Sequence, residues 1–124
     1  MRVLVVDDDA DTCDLVATVL AQYGMRVTAV SSAVEAIEAM ETVRPDVLVS
    51  DISMPGEDGC QLIRKLRQLE ALRGGKIPAV ALTAFAREED RRQALQAGFQ
   101  THLPKPVEPA ELAAAIAGIA GGSR

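Results

Sequence analysis

Three aspartates stand together at positions 7, 8 and 9, straight after the apolar run Val3-Leu4-Val5-Val6, and Asp11 follows one residue on. Carboxylates at that density repel one another, and each requires water, a donor or a cation. Asp51, Thr83 and Lys105 stand at or just past the ends of three further apolar runs. Gathered in one place, carboxylate oxygens suit Mg²⁺ or another oxygen-loving divalent cation, which would cancel the repulsion. A single His and two widely spaced Cys argue against zinc. A metal on two carboxylates, with a third carboxylate, a hydroxyl and an ammonium beside it, can bind a phosphoryl group. The metal and the lysine neutralise its oxygens, and the threonine donates a hydrogen bond. A carboxylate there can also act as nucleophile and give an aspartyl phosphate.

That chemistry depends on elements that bring distant residues to one place. "RVLVV" (2–6) has no polar alternation and reads as a strand covered on both faces. "MRVTAV" (25–30), "DVLVS" (46–50), "IPAVALT" (77–83) and "THL" (101–103) read as four more strands. A first helix carries Cys13, Val16, Val19, Leu20 and Tyr23 near a 3.6 period and stops at Gly24. Ser32 and Glu35 form an S-x-x-E start for a second, with Ala33, Ala36, Ile37 and Met40 on one face. Asp58 can cap a third, bearing Leu62, Ile63, Leu66 and Leu69; a charged fourth ends at Gly98. Pro109 suits the first turn of a fifth, with Leu112, Ile116 and Ile119 toward the sheet.

Five β-then-α units predict an α/β fold: an open, doubly wound, five-stranded parallel sheet with five helices. A closed barrel would need about eight units. In open sheets of this class, ligands bind beyond the carboxyl ends of the strands, near the point where strand order reverses. Asp7, Asp8, Asp51, Thr83 and Lys105 all fall at such ends.

Composition narrows the partners. The chain has 124 residues, 48% hydrophobic and 25% charged, which is one ordinary globular domain. A net charge of −5 argues against direct nucleic-acid binding. Arg64, Arg67, Arg73, Arg87, Arg91 and Arg92 are interleaved with acids and read as solvated helix faces. The apolar runs are strand-length, so no membrane span is expected, and no signal-peptide pattern precedes the first strand. Cys13 and Cys60 read as small buried hydrophobes, consistent with a cytoplasmic location. Tyr23 and Phe99 read as core or helix-packing residues.

"VLVVDDDADT", "LVSDISMPGEDG", "AVALTA" and "LPKP" appear in order, each at a strand end. Together they resemble the receiver (CheY-like) domain of two-component response regulators, over residues 2 to about 120, with 121–124 left as a tail. The resemblance implies a flavodoxin-like sheet of strand order 2-1-3-4-5. It implies Asp51 as phosphoacceptor, and Mg²⁺ held by Asp8, Asp51 and the Ser53 carbonyl, with Asp7 acting mostly through water. It implies Thr83 and Lys105 as phosphoryl ligands, and a cis peptide between Lys105 and Pro106, where the trans preference is small. The donor would be the phospho-histidine of a sensor histidine kinase or histidine phosphotransfer protein, and the domain would also catalyse its own phosphorylation and dephosphorylation. An output protein or domain would read the face formed by the fourth helix, fifth strand and fifth helix.

The resemblance also implies a switch, in which Thr83 moves toward the phosphoryl group and an aromatic residue three positions before the lysine turns inward. Here that position is His102, where Tyr or Phe is commoner; a structural role in the strand is the competing reading. Ser53 and Phe85 occupy positions that tune hydrolysis of the acyl phosphate. The stretch from Ala81 to Leu112 is most similar to receivers attached to hybrid sensor kinases, so the sequence could be a fragment of one. Two rival functions remain. A haloacid-dehalogenase-type phosphatase would use Asp7 and Asp9 as D-x-D, but Asp11 stands where Thr or Val is expected. A degenerate receiver would bind partners without phosphorylation, which the intact acidic set argues against.

Overall fold

The computed structural model describes residues 1–52, 59–73, 77–83, 88–105 and 108–121. Strands β1 (Arg2–Val6), β2 (Arg26–Val30), β3 (Val47–Asp51), β4 (Ala79–Thr83) and β5 (Thr101–Pro104) alternate with helices α1 (Ala10–Gln22), α2 (Ala33–Thr42), α3 (Gly59–Arg73), α4 (Glu88–Ala97) and α5 (Pro109–Gly121). All strand pairs are parallel, in the order β2-β1-β3-β4-β5. This is the doubly wound arrangement expected from the alternation of apolar runs and helical periods. Several boundaries shift: β2 starts at Arg26, β3 runs from Val47 to Asp51 itself, β5 ends at Pro104, β4 starts two residues later than expected at Ala79, and α5 takes in Gly121, the first residue of the expected tail.

Strand alternation divides the core in two. Val3, Val5, Val47, Val49, Val80 and Leu82 face α1 and α5, packing on Val16, Leu20, Leu112 and Ile116. Leu4, Val6, Leu48, Ala79 and Ala81 face the other way, onto Ala33, Ala36, Leu62, Ile63, Leu66 and Ala94 of α2, α3 and α4. Every residue of β3 and β4 is buried, so these central strands need apolar side chains at every position rather than at alternate ones.

Helix ends are set by local chemistry. Asp9 is the N-cap of α1; its carboxylate accepts the Asp11 N–H and the Thr12 hydroxyl. Gly24 ends that helix at φ +80°, with its N–H on Ala21 O and the Met25 N–H on Leu20 O, a pairing that requires the left-handed conformation. Ser32 caps α2 by accepting the Glu35 N–H. The Glu35 carboxylate takes the Ser31 and Ser32 hydroxyls, so only half of the reciprocal S-x-x-E box forms. The expected cap Asp58 lies outside the described residues, as does the 122–124 part of the tail.

Three side chains depart from expectation. Tyr23 is exposed: it is the C-cap of α1 and points past the last buried turn. Leu69, placed by its period on the apolar face of α3, is also exposed. Arg67 is half-buried rather than solvated. Its guanidinium donates to Gly98 O (2.8 and 3.2 Å) and to Ile77 O (2.7 Å), clamping the C-terminal end of α4 against the start of β4. Phe99 is buried, as expected.

Candidate functional site

The sheet order makes β1, β3, β4 and β5 consecutive neighbours, and each ends on a polar residue or is followed directly by one. Asp7 follows β1 and stays in the sheet through its N–H to Val30 O (3.1 Å). Asp51 and Thr83 are the last residues of β3 and β4. Lys105 follows β5, with its N–H on Thr83 O (2.8 Å). The register pairs Val6 with Ser50, Asp51 with Leu82 and Thr83 with Pro104, so the four ends lie nearly level. β1 and β3 flank the point where the winding reverses.

Asp7, Asp51 and Thr83 are buried polar groups at 0%, 4% and 2% exposure, in a molecule whose other buried residues are almost all apolar. Charged side chains are rarely buried to this extent without a partner. Lys105 is that partner: its ammonium donates to Asp7 Oδ2 at 2.8 Å and to Asp51 Oδ2 at 3.1 Å. Burial is the largest influence on the lysine and lowers its pKa. The hydrogen bonds and charges of Asp7 and Asp51 together outweigh it, so the pKa lies above the ordinary lysine value. The ammonium therefore stays charged at any physiological pH.

Asp7 is held at both oxygens. Oδ1 accepts the Asp9 N–H at 2.9 Å and Oδ2 accepts Lys105. The Asp9 carboxylate is pulled below the usual range, first by the Thr12 hydroxyl and then by the Asp11 N–H. Asp8, unlike Asp7, is exposed. One carboxylate oxygen from each of Asp7, Asp8 and Asp51 falls within 4.8 Å of the others. This all-oxygen set fits a hard divalent cation, and its mixture of two buried carboxylates and one exposed carboxylate leaves a side open to water. His102 is not part of it: the ring lies along β5, half-buried.

Two supports at this edge were not visible as patterns. Gly59, at the start of α3, donates its N–H to Ile52 O (3.2 Å). A Cβ there would run into Asp51 O and lie 2.8 Å from Ile52 Cα, so the close approach of α3 to the end of β3 requires glycine. Cys13 donates its thiol to Asp7 O (3.3 Å). Burial pushes the Cys13 thiol up, and the charges of Asp7, Asp14 and Asp9 add to this, so it serves as a packed donor rather than a nucleophile. Beside it a cavity of about 230 Å³ reaches the cluster, walled by Asp7, Asp8, Asp14, Ser31 and Glu35. Ser53, Phe85 and Pro106 lie outside the described residues.

A family described as "Response regulator receiver domain" matches residues 3–117. The chain belongs to that family. It is therefore a receiver domain of two-component signalling. An uncharacterised 14.6 kDa protein of Leptolyngbya boryana is 50% identical over 90% of this chain and 84% of its own length. The sensor histidine kinase GacS of Pseudomonas protegens is 39% identical over 93% of this chain but only 13% of the kinase. The chain thus spans most of the first relative and a small part of the second. Among solved structures, the BeF3-activated N-terminal receiver domain of RstA from Klebsiella pneumoniae superposes with a TM-score of 0.87 at 28% identity, covering 97% of this chain and 98% of the other. Receiver domains take phosphoryl groups from histidine kinases or phosphotransfer proteins, and the acidic cluster found here could bind a metal.

Proposed function

We propose that Asp51 accepts the phosphoryl group, in a site where Asp8, Asp51 and the Ser53 carbonyl hold Mg²⁺. The observation that carries this reading is the Lys105 ammonium shared between Asp7 and Asp51, with Thr83 buried on the next strand. Lysine supplies the fixed positive charge that phosphoryl oxygens require. Asp7 already accepts two hydrogen bonds, which favours its acting on the metal through water. Mg²⁺, when bound, neutralises charge on the transferring group.

In transfer from a phospho-histidine, an Asp51 oxygen attacks phosphorus as the P–N bond breaks, and the imidazole leaves with a proton. Lys105 then pairs with the new phosphoryl group, and Thr83 donates its hydroxyl. Water attack on phosphorus reverses the modification, with Ser53 and Phe85 as the rate-tuning positions. The domain is a phosphorylation-controlled switch with self-catalysed gain and loss of the group, read out by α4, β5 and α5. Its bias between states is limited to the differential interaction energy of the phosphoryl group with each. Residues 1–120 form the receiver unit, working in the cytoplasm, either alone or as part of a larger regulator or hybrid kinase. Its partners are the donor kinase or phosphotransfer protein and an output protein or domain.

The test is intact-protein mass after incubation with acetyl phosphate. One phosphoryl adduct that requires Mg²⁺ and is lost in Asp51→Asn supports the reading. An equal adduct in Asp51→Asn overturns it.

A further inference from the structure

α2 and α3 lie side by side on one layer of the molecule. Both pack on the sheet face that carries Leu4, Val6 and Leu48, whereas α1 and α5 cover the other face. Each follows a strand of the same parallel sheet, so the two helices run in the same direction, back from the carboxyl edge. They also start at similar depth. Val30 and Ser50 are level through their common partner Val6. α2 begins three residues after Val30, and Gly59, the first residue of α3, stands against Asp51 O.

The outer surfaces of these neighbours carry opposite charge. α2 contains Glu35, Glu38 and Glu41 and no basic residue, whereas α3 as far as Leu69 contains Arg64, Lys65 and Arg67 and no acid. Two of the six are engaged elsewhere: Glu35 accepts the Ser31 and Ser32 hydroxyls, and Arg67 donates to Gly98 O and Ile77 O. Glu38, Glu41, Arg64 and Lys65 are exposed. Val34, one turn before Glu38 and on the same face, is 63% exposed, an apolar side chain left without cover. Among the described residues Glu38 and Arg64 make no ion pair. Each stands five residues into its helix, at the same depth below the carboxyl edge.

We propose that this face is a contact between two copies of this chain, with α2 of each copy lying on α3 of the other. A two-fold axis parallel to the helices and midway between them produces this arrangement and keeps every residue at its own depth. Glu38 then meets Arg64 of the second copy, at two symmetric places, and Glu41 and Lys65 add to the attraction. Val34 is covered by the first turns of α3 from the second copy. A two-fold axis across the helices would instead set α2 on α2 and α3 on α3, with like charges opposed, so charge selects the first arrangement. In it the carboxyl edges of both sheets point the same way and stay open, and α1, α4, β5 and α5 remain uncovered. The proposal is independent of the phosphoryl reading. Two helix faces fall short of the ~800 Å² per partner of a standard interface, and exposed ion pairs are screened by salt. The association is therefore weak, with a Kd on the order of 0.1–1 mM at low salt.

Sedimentation equilibrium of the chain from 0.02 to 1 mM, in 50 and 500 mM NaCl, tests this beside Glu38→Arg and Arg64→Glu, each alone and the two mixed in equal amounts. Both substitutions fall on exposed positions, and far-UV circular dichroism checks that each variant is folded. The wild type should dimerise in 50 mM NaCl and weaken about tenfold in 500 mM. Each variant alone opposes like charges at both symmetric places, so its self-association should be about tenfold weaker or more. The equimolar mixture should regain the wild-type affinity, because every contact of the mixed pair again joins opposite charges. A wild type that stays monomeric at 1 mM in low salt overturns the proposal. So does a dimer that both variants form as well as the wild type, since its contact lies on another face. A mixture that associates no better than the separate variants overturns the pairing of α2 with α3.

Discussion

The Lys105 ammonium stands 2.8 Å from Asp7 Oδ2 and 3.1 Å from Asp51 Oδ2, so a side chain late in the chain joins the carboxyl ends of β1 and β3. Two buried carboxylates at one strand edge are tolerable because this cation lies between them. In the proposed switch the same cation meets a third anionic group, the phosphoryl on Asp51.

Lys105→Met leaves the buried carboxylates of Asp7 and Asp51 without their common cation. Removing one partner of a fully buried pair costs about 3–5 kcal/mol. The lysine side chain is 22% exposed, so the expected loss is smaller, on the order of 1–3 kcal/mol at pH 7 without divalent cations. Urea unfolding with and without 10 mM Mg²⁺ checks it, with Mg²⁺ recovering part of the loss by binding the folded state. Unaltered stability in Lys105→Met would show that the ion pairs contribute nothing.

The raised pKa of Lys105 has a defined consequence for alkaline stability. A group whose pKa is higher folded than unfolded stabilises the fold fully below the unfolded value, ~10.4 for lysine, and less as pH climbs through the folded one. The stability gap between wild type and Lys105→Met should therefore be constant from pH 7 to about 10 and shrink above it. Urea midpoints across that series measure it, and a gap that widens above pH 10 would have the wrong sign.

Arg67→Ala removes the guanidinium's hydrogen bonds to Gly98 O and Ile77 O. Hydrogen bonds from charged donors contribute about 1.5–3 kcal/mol, and a loss near the lower end fits a half-buried site. Arg67→Lys should not restore it, because one ammonium cannot reproduce the planar fork. Hydrogen exchange should show the loss at the C-terminal end of α4 first.

Gly59→Ala sets a methyl group against Asp51 O and Ile52 Cα. The neighbours are backbone, so α3 or the end of β3 must shift, at a cost of roughly 1–3 kcal/mol. The movement falls on the proposed acceptor, so the rate of phosphoryl uptake from acetyl phosphate should drop more than stability does. A variant that is destabilised yet accepts the group at the wild-type rate would separate Gly59 from the site.

Much of this was readable beforehand because it is local. The all-apolar runs at β1, β3 and β4 mark strands buried on both faces. Asp9 and Ser32 are capping residues within a few positions of what they cap. The gathering of Asp7, Asp8, Asp51, Thr83 and Lys105 at one edge followed from the rule that places sites beyond strand ends. Arg67 was misread because interleaved charges on a helix look alike whether they meet water or a carbonyl; its partners, Ile77 and Gly98, are set by tertiary packing. Gly59 and the Cys13 thiol carry no periodic signal either, since each acts through a single close approach to backbone from another part of the chain. Tyr23 fits the apolar period of α1, but the helix ends at Gln22 and Tyr23 is its exposed C-cap.

The central claim, that Asp51 receives the phosphoryl group, is tested most directly by trapping it. Protein treated with acetyl phosphate and Mg²⁺ is reduced with borohydride, which converts an aspartyl phosphate to homoserine, and is then mapped by peptide mass. Homoserine at position 51, absent when Mg²⁺ is chelated, is the predicted result; homoserine at position 7 or 8 instead would contradict the account.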